Sequence, residues 1–377
     1  MAKLSASSPE GVMTRDTPSI IVDARMIASS GIGTCLRNTL PRIIDKRPNW
    51  RFTLLGDRQR LADVGKPSNV EIRDADAPLY SLREQLAFAR FGLRRADLLW
   101  APHYNIPITA TPRLVVTVHD VMHLALPEYR NRWLRRKYAT TMYAAVRRRA
   151  AAVICDSDFT RREFGRLVGS GPATHVVHNG VHPSWFDIAP VARASAARPY
   201  IVFVGLAKPH KNLVGLLRAF AMIADRVPHD LVIVGSRRDT LRTTDRRIEQ
   251  EATALNGRVR FAEHLEFSAL QQCVAGADVL VQPSLYEGFG LPPLEAMAAG
   301  TPCLASRIEP LVEVCGDAVT YCDPRDPADI GRRLVALLES PETRQHLSAR
   351  GRERARAFSW DRSATETLAI FEQVLSS

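Results

Sequence analysis

No apolar run in this 377-residue chain approaches the ~18–20 residues that a bilayer span requires. The first 17 residues, MAKLSASSPEGVMTRDT, lack the apolar core of a secretory leader and read as a flexible tail. The expected compartment is therefore the cytoplasm. There is no C-x-x-C pair, and the six cysteines all sit in or beside apolar stretches. They read as buried free thiols, and Cys315 and Cys322 are not expected to hold zinc. Internal repeats and low-complexity tracts are absent. Acidic residues are missing from Tyr129 to Arg149, where Arg130, Arg132, Arg135, Arg136, Lys137, Arg147, Arg148 and Arg149 gather.

That last absence is part of a wider asymmetry. Residues 1–190 hold 28 Lys+Arg against 17 Asp+Glu, whereas 191–377 hold 23 of each. The whole net charge of +11 lies in the first half, which suggests that one domain meets an anionic partner. Leu134, Tyr138, Met142 and Val146 recur at four-residue steps, with Trp133 beside them. The segment reads as a basic amphipathic helix suited to an anionic membrane surface. No basic motif interleaved with aromatics is present, so nucleic acid is not an expected partner.

With 46% hydrophobic and 24% charged residues, the chain is globular and long enough for two domains. Apolar strand-like runs alternate with helical ones: Ser19–Asp23, Trp50–Gly56, Asp97–Ala101, Leu114–His119 and Ala151–Cys155. A Gly-rich loop is expected at Ser29–Gly33, and a helix from Thr34 to about Lys46. After an irregular stretch the alternation restarts with Tyr200–Gly205, Asp230–Gly235, Arg258–Ala262 and Asp278–Pro283. Strands apolar on both faces imply parallel sheets covered on both sides. The fold class is thus α/β, with two doubly wound Rossmann-like domains and a cleft between them. The expected boundaries are a tail at 1–17, an N-terminal domain at 18–190, a linker at 191–199 and a C-terminal domain at 200–355. A helix at 356–377 is expected to pack back towards the first domain.

Two segments carry chemistry. In Ser284–Gly300 (SLYEGFGLPPLEAMAAG), Glu287 follows a strand and Glu295 lies seven intervening residues later, within a helix. Pro292 and Pro293 suit the first turn of that helix, whose free N–H groups and positive end favour an anion. Two carboxylates flanking a phosphate site fit hydroxyl groups on either side of a diphosphate. In the other segment, Lys208, Lys211 and Asn212 follow Gly205 at a strand's carboxyl end. Lysine charge and helix dipole would act there on one group, with Asn212 as a helix cap. Gly31-Ile-Gly33 stands too far from its strand for a dinucleotide fingerprint, so a nicotinamide enzyme is disfavoured. His119, Asp120 and His123 have metal-like spacing but read better as loop residues closing a cleft.

Together these segments resemble glycosyltransferase family 4, a retaining group with the GT-B fold. The resemblance runs from about Ile20 to Trp360. Its carriers are VDARMIASSGIGTCLRNTL, VVTVHDVMHLALPEY, VICDSDFTRREF, VVHNGVHPSWF, FVGLAKPHKNLVGLLRAF and ADVLVQPSLYEGFGLPPLEAMAAGTP. It implies that Lys211 binds the donor diphosphate, Glu287 the transferred sugar and Glu295 the ribose. The loop Gly288, Phe289, Gly290 and Leu291 would support phosphates and sugar. His119 would lie near sugar and acceptor, and Gly31 and Gly33 would border the diphosphate. An arginine common just after the glycine matching Gly205 is replaced by Leu206; Lys208 or Arg25 would have to stand in. The implied function is retaining transfer of a hexose, with mannose from GDP-mannose expected, to a glycan or lipid-diphosphate-linked acceptor. No cofactor or metal is expected beyond the nucleotide sugar. A nucleotide-sugar epimerase or an idle binding protein are the alternatives.

Overall fold

The computed structural model describes residues 17–75, 79–91, 93–108, 112–126, 133–189, 198–235, 246–262 and 265–377. The tail at 1–16, most of the expected linker, and Arg130 and Arg132 lie outside these.

The first sheet is parallel, in the order β3-β2-β1-β4-β5-β6-β7. Its strands are β1 (Ser19–Asp23), β2 (Arg51–Gly56), β3 (Val70–Asp74), β4 (Leu98–Ala101), β5 (Arg113–Val118), β6 (Ala152–Cys155) and β7 (Ala173–Val176). Its longer helices are α1 (Gly31–Lys46), α2 (Leu82–Arg90), α3 (Trp133–Arg149) and α4 (Asp158–Val168). Ile20 lies opposite Phe52 on one side and Leu98 on the other, which fixes the register of the central strands.

The second sheet is also parallel, in the order β10-β9-β8-β11-β12-β13. It comprises β8 (Tyr200–Val204), β9 (Asp230–Val234), β10 (Val259–Ala262), β11 (Val279–Gln282), β12 (Cys303–Ser306) and β13 (Thr320–Cys322). Its helices are α5 (Leu213–Ala221), α6 (Arg246–Thr253), α7 (Phe267–Ala275), α8 (Leu291–Ala299), α9 (Glu309–Cys315), α10 (Pro327–Glu339) and α11 (Pro341–Ala355). Each sheet is buried on both faces, so its central strands carry continuous apolar runs such as DLVIV.

The final helix α12 (Trp360–Ser376) belongs to the first domain. Phe371 stacks edge-on against Trp100 at 5.4 Å, and Leu368, Ile370 and Val374 join the core of α1. Conversely, Val181 and Trp185 pack in the second domain's core. The boundary expected at 190 therefore moves back to about 180, because Trp185 is fully buried and Phe267 packs against its ring. The chain thus crosses between domains twice. The crossings touch: Val181 N–H donates to Phe358 O at 3.2 Å, and Val181 bridges Ser359.

Other expectations need correction. Helix α1 starts at Gly31, so Gly31 and Gly33 lie in its first turn and not in a loop. Gly33 serves packing: a Cβ there would overlap the Ile27 carbonyl oxygen. The stripe on α3 is only partly buried. Met142 and Val146 are in the core, whereas Leu134 and Trp133 are each 64% exposed.

Candidate active site

The loops that follow the carboxyl ends of the two sheets meet, with His119, Ser157 and Thr160 of the first against Gly288 of the second, and it is at such strand ends that ligands of doubly wound folds bind. From the second domain, β8 leads to Lys211 and β11 to Glu287. Lys211 Nζ donates to both Glu287 carboxylate oxygens at 2.7 Å. Gln282 Nε2 and Ser284 Oγ donate to Glu287 Oε1 at 2.9 and 2.7 Å. Burial works against the Glu287 charge, but Lys211 and the Ser284 hydroxyl outweigh it and hold the carboxyl below its ordinary value.

Asn212 does not cap α5 with its side chain. It sits in the left-handed region (φ 58°), and its amide donates to Pro283 O at 3.1 Å and Pro324 O at 2.7 Å. Those bonds pin the lysine loop to the carboxylate loop. Lys208 is exposed. Arg25 is unavailable as a second diphosphate cation: it is buried, paired with Asp23 at 2.5 Å and with Glu84 at 2.6 Å.

Gly288 packs directly against the first domain, and a Cβ on it would overlap the His119 carbonyl oxygen. Gly290, at φ 117°, turns the chain into α8. The Phe289 side chain points away from the cleft, into the core beside Phe358. Glu295 is partly buried, and that burial pushes it up to about 8, with no counter-charge beside it among the described residues.

His119 follows β5. Its Nδ1 lies 2.6 Å from Asp156 Oδ2, and its Nε2 lies 3.0 Å from Pro102 O. Both partners are acceptors, an arrangement that favours a proton on each ring nitrogen and so the imidazolium form. Burial opposes that charge, but Asp156 prevails and raises the pKa above 6.5. Asn179 Nδ2 donates to the same Asp156 oxygen at 2.9 Å. The side-chain nitrogens of His119 are thus committed to protein partners, which differs from a direct grip on sugar. Asp156 and Asp158 are spaced like metal ligands but diverge, with Asp158 paired to Arg161 and Arg162. Among the described residues no group of three or more His, Cys, Asp or Glu side chains is gathered in one place.

Sequence reasoning missed Gln282, Ser284, Asp156, Asn179 and His210. His210 is buried, its Nδ1 finds no partner among the described residues, and burial pushes its pKa down to about 4. Only its place beside Lys211 could have drawn notice.

Residues 49–185 match the family described as Glycosyltransferase Family 4, and 188–354 match Glycosyl transferases group 1. O-antigen chain mannosyltransferase B of Escherichia coli is 30% identical over 286 residues, spanning 72% of this chain and 73% of that protein. This chain belongs to glycosyltransferase family 4. As a family 4 glycosyltransferase it is a hexosyltransferase. A GDP-mannose-dependent phosphatidylinositol dimannoside mannosyltransferase of Mycobacterium tuberculosis is also 30% identical, over 67% of each chain. Among solved structures, sucrose-phosphate synthase of Thermosynechococcus elongatus superposes with TM-score 0.78 at 21% identity, over 96% of this chain and 99% of that one. HepE of Anabaena in complex with UDP-glucose gives 0.75 at 18%, over 94% and 99%. At these identities the structures establish the GT-B fold of this glycosyltransferase.

Proposed function

We propose that this glycosyltransferase moves mannose from GDP-mannose, with retention, to a glycan or lipid-linked acceptor in surface polysaccharide assembly. The Lys211–Glu287 pair at the mouth of the cleft carries the reading. A donor diphosphate would compete for the ammonium, and the freed carboxylate oxygens would accept sugar hydroxyls. Glu295 would take the ribose. The imidazolium of His119 would add positive charge near the leaving group, its proton retained by Asp156. Attack by the acceptor hydroxyl on the face vacated by the diphosphate needs no protein nucleophile. The departing phosphate oxygen takes the hydroxyl proton as the new glycosidic bond forms. Lys211 and the N-terminus of α8 stabilise the charge left on the diphosphate. The mannose preference rests on the two mannosyltransferase relatives.

A membrane-borne acceptor fits the exposed apolar side chains of the first domain. Tyr80, Leu86, Ile108, Trp133 and Leu134 are all exposed. Gln85 accepts from Ile108 N–H at 2.8 Å, and Tyr80 meets Tyr138 on α3, which brings these residues near Arg136 and Lys137. Sedimentation with phosphatidylglycerol vesicles would test this contact, and equal recovery with neutral vesicles would refute it.

The decisive test is turnover of GDP-mannose, UDP-glucose and ADP-glucose by purified enzyme. GDP-mannose should be consumed fastest, and Glu287→Ala should cut turnover by about 100-fold or more. Preferred turnover of another donor would overturn the mannose assignment. Loss of activity in EDTA, restored by magnesium or manganese, would overturn metal independence.

A further inference from the structure

The N-terminus of α4 is held by groups from the other domain. Within α4, the Asp158 and Phe159 N–H groups have no helical acceptor. Asp158 N–H donates to Glu313 Oε1 at 2.7 Å and Phe159 N–H to Glu313 Oε2 at 3.1 Å. Glu313 stands on α9, in the second domain. His178 Nε2 approaches the same carboxylate at 2.9 Å. The helix dipole and two amide donors thus meet one negative charge, an arrangement that favours the ionised form. On the cleft side of the same turn, Ser157 Oγ donates to Gly288 O at 2.6 Å. Thr160 Oγ1 lies 3.2 Å from Gly288 O and 3.3 Å from His119 O. Asp156, which holds the His119 ring, is two residues before α4.

One helix start therefore touches His119, the donor loop and a carboxylate from α9. A local cap needs none of this: Ser157 already accepts from Thr160 N–H at 3.0 Å, as ordinary N-caps do. The extra carboxylate arrives from 155 residues away. Its bonds exist only while the two domains are together, with Gly288 seated under His119.

We propose that Glu313 is a positioning residue that latches the domains in the register required for transfer, by capping α4 across the cleft. It touches no reacting atom. Opening of the cleft to admit donor breaks its two amide bonds, and closure remakes them. The proposal concerns the closing step of the reaction proposed above, but its first test does not depend on turnover.

Small-angle scattering of the ligand-free full-length protein should show Glu313→Ala with a radius of gyration about 1 Å larger than wild type. With GDP-mannose, kcat should fall about tenfold or more while GDP affinity stays within about threefold, since Lys211 and Glu287 lie in one domain. Glu313→Gln, with one acceptor left, should fall between. Glu309→Ala removes the exposed Arg162 pair on the same helix and should behave as wild type. Wild-type scattering together with wild-type kcat in Glu313→Ala would overturn the latch, as would an equal loss in Glu309→Ala. If Glu313→Ala does not fold, Glu313→Gln, which keeps the side-chain shape and loses one of the two acceptors, tests the same contact with the same two outcomes. If wild type ignores GDP-mannose, the function reading fails, and scattering alone decides the latch.

Discussion

Glu295 and Glu287 are both carboxyls at the cleft, yet their surroundings push them in opposite directions. Among the described residues, Glu287 gains Lys211, while Glu295 gains partial burial and no counter-charge. A carboxyl whose folded pKa is raised binds more protons folded than unfolded, so the fold loses stability as pH rises from about 4.5 to about 8. Glu295→Gln should therefore raise the thermal midpoint of ligand-free protein at pH 8, by the equivalent of about 1–3 kcal/mol, and change little at pH 4. A wild-type midpoint at pH 8 would refute this. Binding of ribose hydroxyls to an ionised Glu295 should also release a proton, measurable by calorimetry in buffers of different ionisation enthalpy. For the other carboxyl, Lys211→Ala leaves a buried charge unpaired. It should cost about 3 kcal/mol of stability besides activity, read by chemical denaturation. Gly288→Ala should block closure by meeting the His119 carbonyl, lowering turnover about 100-fold with GDP binding retained.

At the scale of elements, the start of α4 organises the first domain's half of the site. The His119 pKa is raised when folded, so its contribution to stability is full below pH 6.5 and is lost as pH climbs through the higher folded value. Asp156→Asn removes the charge that sustains the imidazolium. Turnover in that variant should fall off at lower pH than in wild type, and an unmoved alkaline limb would refute the pairing. The central strands were legible in the sequence because both faces are buried. The edge strands β3 (VEIRD) and β7 (ATHV) were not, since none of their residues is fully buried and neither carries an apolar run. Helix α9 escaped notice because its seven residues are too few to show a helical period. Lys211 and Glu287 could be picked out because each lies in a loop of unusual composition. Asp156, Asn179 and Glu313 look locally like ordinary caps and turns, and their partners are distant in sequence. Arg25 dropped out as the compensating cation for the same reason: nothing near it in sequence announces Glu84.

For the whole molecule, two facts set the behaviour. The first domain carries the positive charge, and its last helix is supplied by the chain's other end. Phe371→Ala should cost about 3–5 kcal/mol in the first domain, because the ring fills a core shared with Trp100. The melt should show that domain unfolding earlier, with the second domain's transition unchanged.

The paired crossings at Val181 and Ser359 have a mechanical consequence. A single tether would let one lobe swivel in any direction. Two tethers side by side, tied by a backbone hydrogen bond, behave like a door hung on two pins. Twist is resisted and one bending axis stays soft, so each swing returns the lobes to the same alignment.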